Sequence, residues 1–322
     1  WQYILLVYVF FASVLPVWLL LQPRDYLNSF ILYAMLIGGA LGIIIMRPML
    51  QLQAFKGFTV VTKAGPQYLF PILFVTVACG AISGFHSLVG SGTTAKQIDS
   101  EKDTQFVGYG AMLIEGLLAI VSLISVAYVA KAEGAPAVIF ANGVSEFMSS
   151  FGIPREFGKV FITLAFSAFA LTSLDTATRL ARYIFQEYFE SETGKTSWIA
   201  DKYVATAITV VISYMLVTYG YQKIWPIFGS SNQLLAALAL LALTAWFVKT
   251  GKNPTFTLVP MIWMFAVTLS ATLLLMRNFY VAKNYLLVFL AVALFILAII
   301  LIIVTYNTLT NKKTGKNTNI KM

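Results

Sequence analysis

Nine long runs of apolar residues divide this chain, and no other feature restricts its fold so strongly. They cover approximately 3–21, 28–48, 68–94, 106–130, 157–178, 202–219, 225–248, 256–276 and 284–306. Each is near the roughly 20 helical residues that cross a hydrocarbon layer about 30 Å thick. Inside such a layer every backbone N–H and C=O must bond within the protein, which leaves only helices and closed β-barrels. Runs such as Leu286–Val304 lack the alternation of apolar and polar residues that a barrel strand requires. The sequence therefore predicts an all-α polytopic membrane protein with about nine transmembrane helices. Composition agrees: 59% of the residues are hydrophobic and 11% charged, where a soluble domain carries about a quarter charged.

The net charge of +9 does not point to nucleic acid, because the basic residues sit in short loops and at the tail, where they act as topology signals. Loops on the side of the C-terminus hold Arg24, Lys96, Lys102, Arg179, Arg182, Lys195, Lys202, Lys249, Lys252, Lys312, Lys313, Lys316 and Lys321, against nine basic residues on the other side. That bias predicts a cytoplasmic C-terminus. Residues 1–306 read as one membrane domain and 307–322, rich in Lys, Asn and Thr, as a solvated tail. Trp1–Leu21 lacks a basic n-region and a small-residue cleavage site, and the chain does not start with Met. The expectation is that an odd number of spans precedes Trp1. Cys79 is the single cysteine and lies in an apolar run, as a small core residue would.

The third run is the most informative. From Gly80 onward it reads Gly-Ala-Ile-Ser83-Gly84-Phe85-His86-Ser-Leu-Val-Gly90-Ser-Gly92-Thr-Thr, with four glycines, five hydroxyls and the only histidine. Each glycine weakens a helix by about 1 kcal/mol relative to alanine. Non-helical backbone at membrane depth survives only where it is buried in protein or lines a wet cavity, and broken helices are how many transporters present backbone dipoles to solutes. The helix is predicted to break within Gly80–Gly84; the alternative is that the glycines serve close helix packing. His86 reads either as a substrate or proton contact, as a hydrogen-bonded structural group, or as one ligand of a shared metal site. Alone it is no metal site.

Three further segments carry polar groups into apolar surroundings. Glu115 lies about ten residues into the fourth run, where a carboxylate must be paired, protonated or in contact with water. Thr172, Asp175, Thr176 and Arg179 share one helical stripe by their i, i+3 and i+4 spacing. Hydroxyls beside a carboxylate suit a small hard cation; the alternative is an Asp175–Arg179 pair closing the helix end. Asn232 and Gln233 open the apolar part of the seventh run, either as interhelical glue or as cavity lining. Pro136–Ser150 is too short and polar to span, and reads as a helix in a loop capping an outward-facing cavity. Arg179–Glu192 reads as a solvated interfacial helix.

Six stretches together resemble the carbon starvation protein A transporters: Gln22-Pro-Arg-Asp-Tyr-Leu-Asn-Ser29, Ala78–His86, Ser91–Thr94, Gly108–Gly116, Thr172–Arg179 and Ser231–Leu235. The resemblance runs from about Gln22 onward. It implies a multi-pass inner-membrane protein that takes up pyruvate or small peptides when carbon is scarce, coupled to H⁺ or Na⁺, with no cofactor and no enzymatic activity. It also implies the leucine-transporter-like fold of two inverted five-helix repeats, with a first glycine-rich helix that is not in this sequence and would be its partner. On that pattern Gly80, Ser83, Gly84, Phe85, His86 and Asn232 are candidate substrate-binding residues. Thr172 and Ser173, with the Phe169 carbonyl as a third ligand, resemble a cation site, and Asp175 and Glu115 are further ion-coupling candidates. Two other classes stand beside this one. A quinone- or haem-binding redox protein usually shows several intramembrane histidines, and a membrane sensor requires a soluble signalling domain.

Overall fold

The computed structural model describes residues 2–62, 65–129, 134–190 and 198–311. Among them, eight helices are long and apolar enough to cross a membrane: Val17–Met46, Leu69–Lys96, Asp103–Val129, Arg155–Phe189, Lys202–Gly220, Ile224–Lys249, Thr255–Val281 and Tyr285–Val304. The chain is a mostly helical polytopic membrane protein. A two-stranded antiparallel hairpin, Thr59–Thr62 with Gly65–Tyr68, is the departure from all-α structure among the described residues. Two compact units divide the chain. One comprises Trp1–Phe55 and Gln97–Tyr219, the other Lys56–Lys96 and Gly220–Met322.

The count of spans is one fewer than the nine expected, and the difference lies at the start. The first apolar run does not continue to residue 21. It forms a 13-residue helix, Gln2–Val14, and Val17 then begins a 30-residue helix that runs to Met46. Pro16 causes the break, since it has no N–H to continue the ladder. Residues 22–27, expected as a loop, lie inside that helix, and Arg24 with them. The expected tail starts later as well, because the last helix extends to Asn311; the rest of that segment, like Trp1, falls outside the described residues.

In the first unit the most enclosed element is the helix Pro136–Ser149. Proline at its first turn suits a position where the N–H has no helical partner. Its residues Ile139, Phe140, Ala141, Val144, Phe147 and Met148 are all buried. It packs against Val17–Met46, Ala111–Val129 and Arg155–Phe189, in a core completed by Met35, Leu36, Val121, Ile162 and Ala165. It is a central packing element and not a cap lying over a loop. Gly42 makes this possible: a Cβ there would meet the Phe147 carbonyl oxygen at 2.4 Å. A cavity of about 380 Å³ opens beside this helix, lined by Gln51, Tyr128, Val129, Asn142, Glu146 and Arg155.

The second unit packs Ile224–Lys249, Thr255–Val281 and the last helix around Leu234, Ala237, Leu241, Met261, Met264, Phe265 and Ala298. Hydroxyl pairs join two of these helices: Ser230 and Thr272 oxygens lie 2.6 Å apart, and Thr244 donates to Thr257 at 2.9 Å. Such bonds hold helices together where water cannot compete. The last helix turns Phe289, Ile296, Leu297 and Ile303 outward, each at least half exposed, as a lipid-facing surface does.

Candidate functional site

Two polar clusters sit in these apolar surroundings, one inside each unit. In the second unit, the segment Leu69–Lys96 is interrupted where its glycines predict. Phe74–Val77 is α-helical, Ala78–Gly80 tightens into a 3₁₀ turn, and the helix resumes at Gly84–Gly92. Between them Ser83 is extended, with φ −139° and ψ 131°. Ala81 and Ile82 both return their N–H to the Ala78 carbonyl, closing the first half-helix.

Asn232, on the neighbouring helix Ile224–Lys249, holds both sides of this break. Its Oδ1 accepts from the Phe85 N–H at 2.8 Å, and its Nδ2 donates to Ser83 Oγ at 3.1 Å and to Cys79 Sγ at 3.7 Å. A helix start leaves its first N–H groups without partners. Ser83 occupies the N-cap position but makes no capping bond within its own helix; the amide of Asn232 supplies one from outside. The two helices approach closely because position 84 is glycine. A Cβ there would fall 2.3 Å from the Asn232 carbonyl oxygen and 2.6 Å from the Ala236 nitrogen. The structure thus brings Ser83, Gly84, Phe85 and Asn232 together, with Gly80 ending the first half-helix. His86, half-buried, follows on the second half-helix.

In the first unit the cluster centres on Asp175, which is 0% exposed. Its Oδ2 accepts from the Tyr8 hydroxyl at 2.9 Å and from Arg24 Nη1, and Arg24 Nη1 also donates to the Tyr8 oxygen at 2.9 Å. The three side chains come from three helices, Gln2–Val14, Val17–Met46 and Arg155–Phe189. Asp175 Oδ1 and Arg24 Nε are shielded and have no hydrogen-bond partner among the described residues. Asp25 lies 3.4 Å from Arg24 on the outer side. One turn away, Asn28 Nδ2 donates to Thr172 Oγ1 at 2.8 Å, and Thr172 donates to the Ala168 carbonyl at 3.0 Å. Arg24–Asp175 and Asn28–Thr172 are two rungs between one antiparallel pair of helices.

Arg179 does not pair with Asp175. Its Nη2 donates to the Ala12 and Leu15 carbonyls, at 2.6 and 2.7 Å. The reason is Pro16. Without an N–H, Pro16 cannot bond Ala12, and Leu19 bonds the Pro16 carbonyl instead of that of Leu15, so both oxygens are left for the guanidinium. Arg179 and Arg182 are 2% and 3% exposed, and Arg182 lies over the Tyr183 ring, 4.5 Å from its centroid. The stretch expected as a solvated interfacial helix therefore carries buried arginines on a continuous helix, Arg155–Phe189.

Of the ion-coupling candidates, Thr172 is half-buried in the rung to Asn28, Ser173 is on the exposed face, and Phe169 packs against the unit's apolar core. Asp175 lies one turn along from Thr172. Glu115 is half-buried on Ala111–Val129. Among the described residues, no three His, Cys, Asp or Glu side chains come close enough to form a metal-ligand set. Tyr8, Arg24 and Asn28 are the participants that sequence reasoning missed. Arg24 and Asn28 are spaced i, i+4, but the signal is visible only once Gln22–Leu27 is known to be helical.

The family profile of carbon starvation protein CstA matches residues 1–135 and 129–271. Among relatives, peptide transporter CstA of Bacillus subtilis (strain 168) is 32% identical, over 85% of this chain and 54% of its own length. Peptide transporter CstA of Escherichia coli (strain K12) is 34% identical, over 82% and 48%. Pyruvate/proton symporter BtsT of Escherichia coli (strain K12) is 30% identical, over 81% and 48%. The chain spans about half the length of these curated relatives. No solved structure matches it.

Proposed function

Because the chain belongs to the carbon starvation protein CstA family, we propose that it acts in a secondary transporter of the bacterial inner membrane, importing a small carboxylate-bearing solute when carbon is scarce. Pyruvate and small peptides are the solutes that its relatives' names supply. The observation that carries this reading is the interrupted helix at Ala81–Ser83, secured by Asn232 at both lips. A break at membrane depth survives where it is buried in protein or lines a wet cavity, and transporters use such breaks to present backbone dipoles to a solute. The proposed architecture is the inverted-repeat fold of leucine-type transporters, with residues 1–306 as transporter domain and the C-terminal tail in the cytoplasm.

Coupling is assigned to H⁺. One relative is named a proton symporter. The Thr172 hydroxyl is engaged by Asn28 and Ala168, and Ser173 faces away from it, an arrangement that serves packing better than Na⁺. The test is uptake of labelled pyruvate, and separately of labelled dialanine, by proteoliposomes under an imposed pH gradient. Accumulation of either that collapses with the gradient and ignores Na⁺ is the expected result. A Na⁺ requirement would return the coupling role to Thr172 and Ser173.

A further inference from the structure

The Arg24–Asp175–Tyr8 cluster has features that packing alone does not call for. A buried ion pair costs several kcal/mol per ion in desolvation, and it is repaid only when geometry and remaining hydrogen bonds are complete. Here they are incomplete: Asp175 Oδ1 and Arg24 Nε have no hydrogen-bond partner among the described residues. Exposure is also uneven. The Asp175 side chain is 0% exposed, while that of Arg24 is 17% exposed. The Arg24 side chain thus keeps a contact with the surroundings that the Asp175 carboxylate lacks.

We propose that Arg24 is a receptor for the solute's carboxylate, released to it when Asp175 takes up a proton. This rests on the proton-coupled carboxylate transport proposed above. In the resting arrangement Arg24 and Asp175 cancel. When a proton binds Asp175 Oδ1, the oxygen without a partner, forming one O–H bond, Arg24 keeps the more exposed Asp25 3.4 Å away but loses the counter-charge of the buried carboxyl, now neutral. The solute's carboxylate replaces it, accepting two guanidinium N–H bonds in the paired geometry that arginine offers and lysine does not. Proton and carboxylate arrive together, one of each. The cluster carries the same net charge before and after, so at no point is an unbalanced charge left in a poorly solvated site. Tyr8 positions the exchange: its hydroxyl touches both partners and keeps the guanidinium beside Asp175 after protonation.

Among the described residues, no other side chain is paired with Asp175. Tyr8 reaches it from Gln2–Val14, and Arg24 with Asp25 from Val17–Met46. The charged residue of Pro136–Ser149, Glu146, is paired with Arg155 at 2.9 Å. The turn Trp198–Ala200, also packed on this helix, carries no charged residue. Arg179, one turn along, is occupied by the Ala12 and Leu15 carbonyls.

The experiment reconstitutes the protein in liposomes and follows labelled pyruvate. For the native protein, one proton per monocarboxylate predicts uptake that follows the pH gradient and ignores an imposed membrane potential. Asp175→Asn mimics the protonated state and is expected to reduce accumulation to simple equilibration, still exchanging labelled for unlabelled pyruvate. Arg24→Gln is expected to raise KM for pyruvate at least about tenfold, the worth of a hydrogen bond to a charged group. Because that variant strands Asp175 without its cation, which penalises folding, Arg24→Gln/Asp175→Asn is the decisive protein. It leaves no fully buried charge without a partner, only the more exposed Asp25, and its folding is checked by thermal unfolding. A folded double variant with the raised KM supports the assignment. Restoration of native KM and proton-driven accumulation overturns it and leaves the pair as a helix bolt. Absence of proton-driven uptake by the native protein defeats the transport reading itself, which is a different result.

Discussion

The two polar clusters solve the same problem, a polar joint between apolar helices, with different chemistry. At Ala81–Ser83 the joint is neutral: one amide, Asn232, satisfies a backbone N–H, a hydroxyl and a thiol. At Asp175 the joint is ionic and one carboxylate oxygen is left over. A neutral joint has one protonation state and one arrangement, so it fixes shape. An ionic joint has a second state one proton away, so it can change partner. The difference separates a part that must stay formed from a part built to alternate.

Stability measurements can break or sharpen this contrast. The largest effect is expected from Arg24→Ala, which leaves a fully buried carboxylate without its cation; removal of one member of a buried pair costs about 3–5 kcal/mol. Thermal unfolding in detergent should register that loss, and adding Asp175→Asn should recover most of it. No recovery would mean that Arg24 acts through something other than Asp175. Next comes Gly84→Ala, where the added methyl meets Asn232 and Ala236 backbone atoms and overpacking costs about 1–3 kcal/mol. Gly90→Ala is the control, since a Cβ there meets nothing within 4 Å. A loss at position 90 equal to that at 84 would remove close approach as the cause.

Asn232→Ala should cost about 1–2 kcal/mol, the upper end for an interhelical hydrogen-bonding residue in a membrane. Its effect on unfolding should not vary between mildly acidic and neutral buffer, because no carboxylate, imidazole or amine takes part in that joint. A marked pH dependence would make the joint less neutral than its hydrogen bonds indicate. The smallest effect belongs to Ser173→Ala, an exposed hydroxyl, expected within about 0.5 kcal/mol. Asn28→Ala, which breaks the rung to Thr172, should exceed it, at about 0.6 kcal/mol.

The neutral joint was legible in the sequence and the ionic one only in half. Glycine density marks Gly80–Gly84 as a weak point because the penalty for glycine is local and additive, and the break lies there. The adjacent Asn232 was also visible, since an amide in an apolar run must bond to something. Asp175 was visible for the same reason. Its partner was not, because Arg24 stands beside Pro23 and Asp25 in a stretch that reads as a loop by composition. What decides otherwise lies outside that stretch: Pro16, eight residues earlier, ends the first helix and lets the second begin before Arg24. Arg179 and Arg182 were misjudged by the same route. Their charge suggests solvent, but carbonyls freed at Pro16 and the Tyr183 ring give them partners indoors.

The grip of Arg179 on Ala12 and Leu15 has a mechanical consequence. Sliding Gln2–Val14 along Arg155–Phe189 would strip two carbonyls and a guanidinium of their partners at once, at a site where Arg179 is buried from water. The two helices are therefore coupled as a single lever, able to tilt but not to shear. Spin labels at the exposed Phe11 and Leu174 should keep one separation with and without added pyruvate and under an imposed pH gradient.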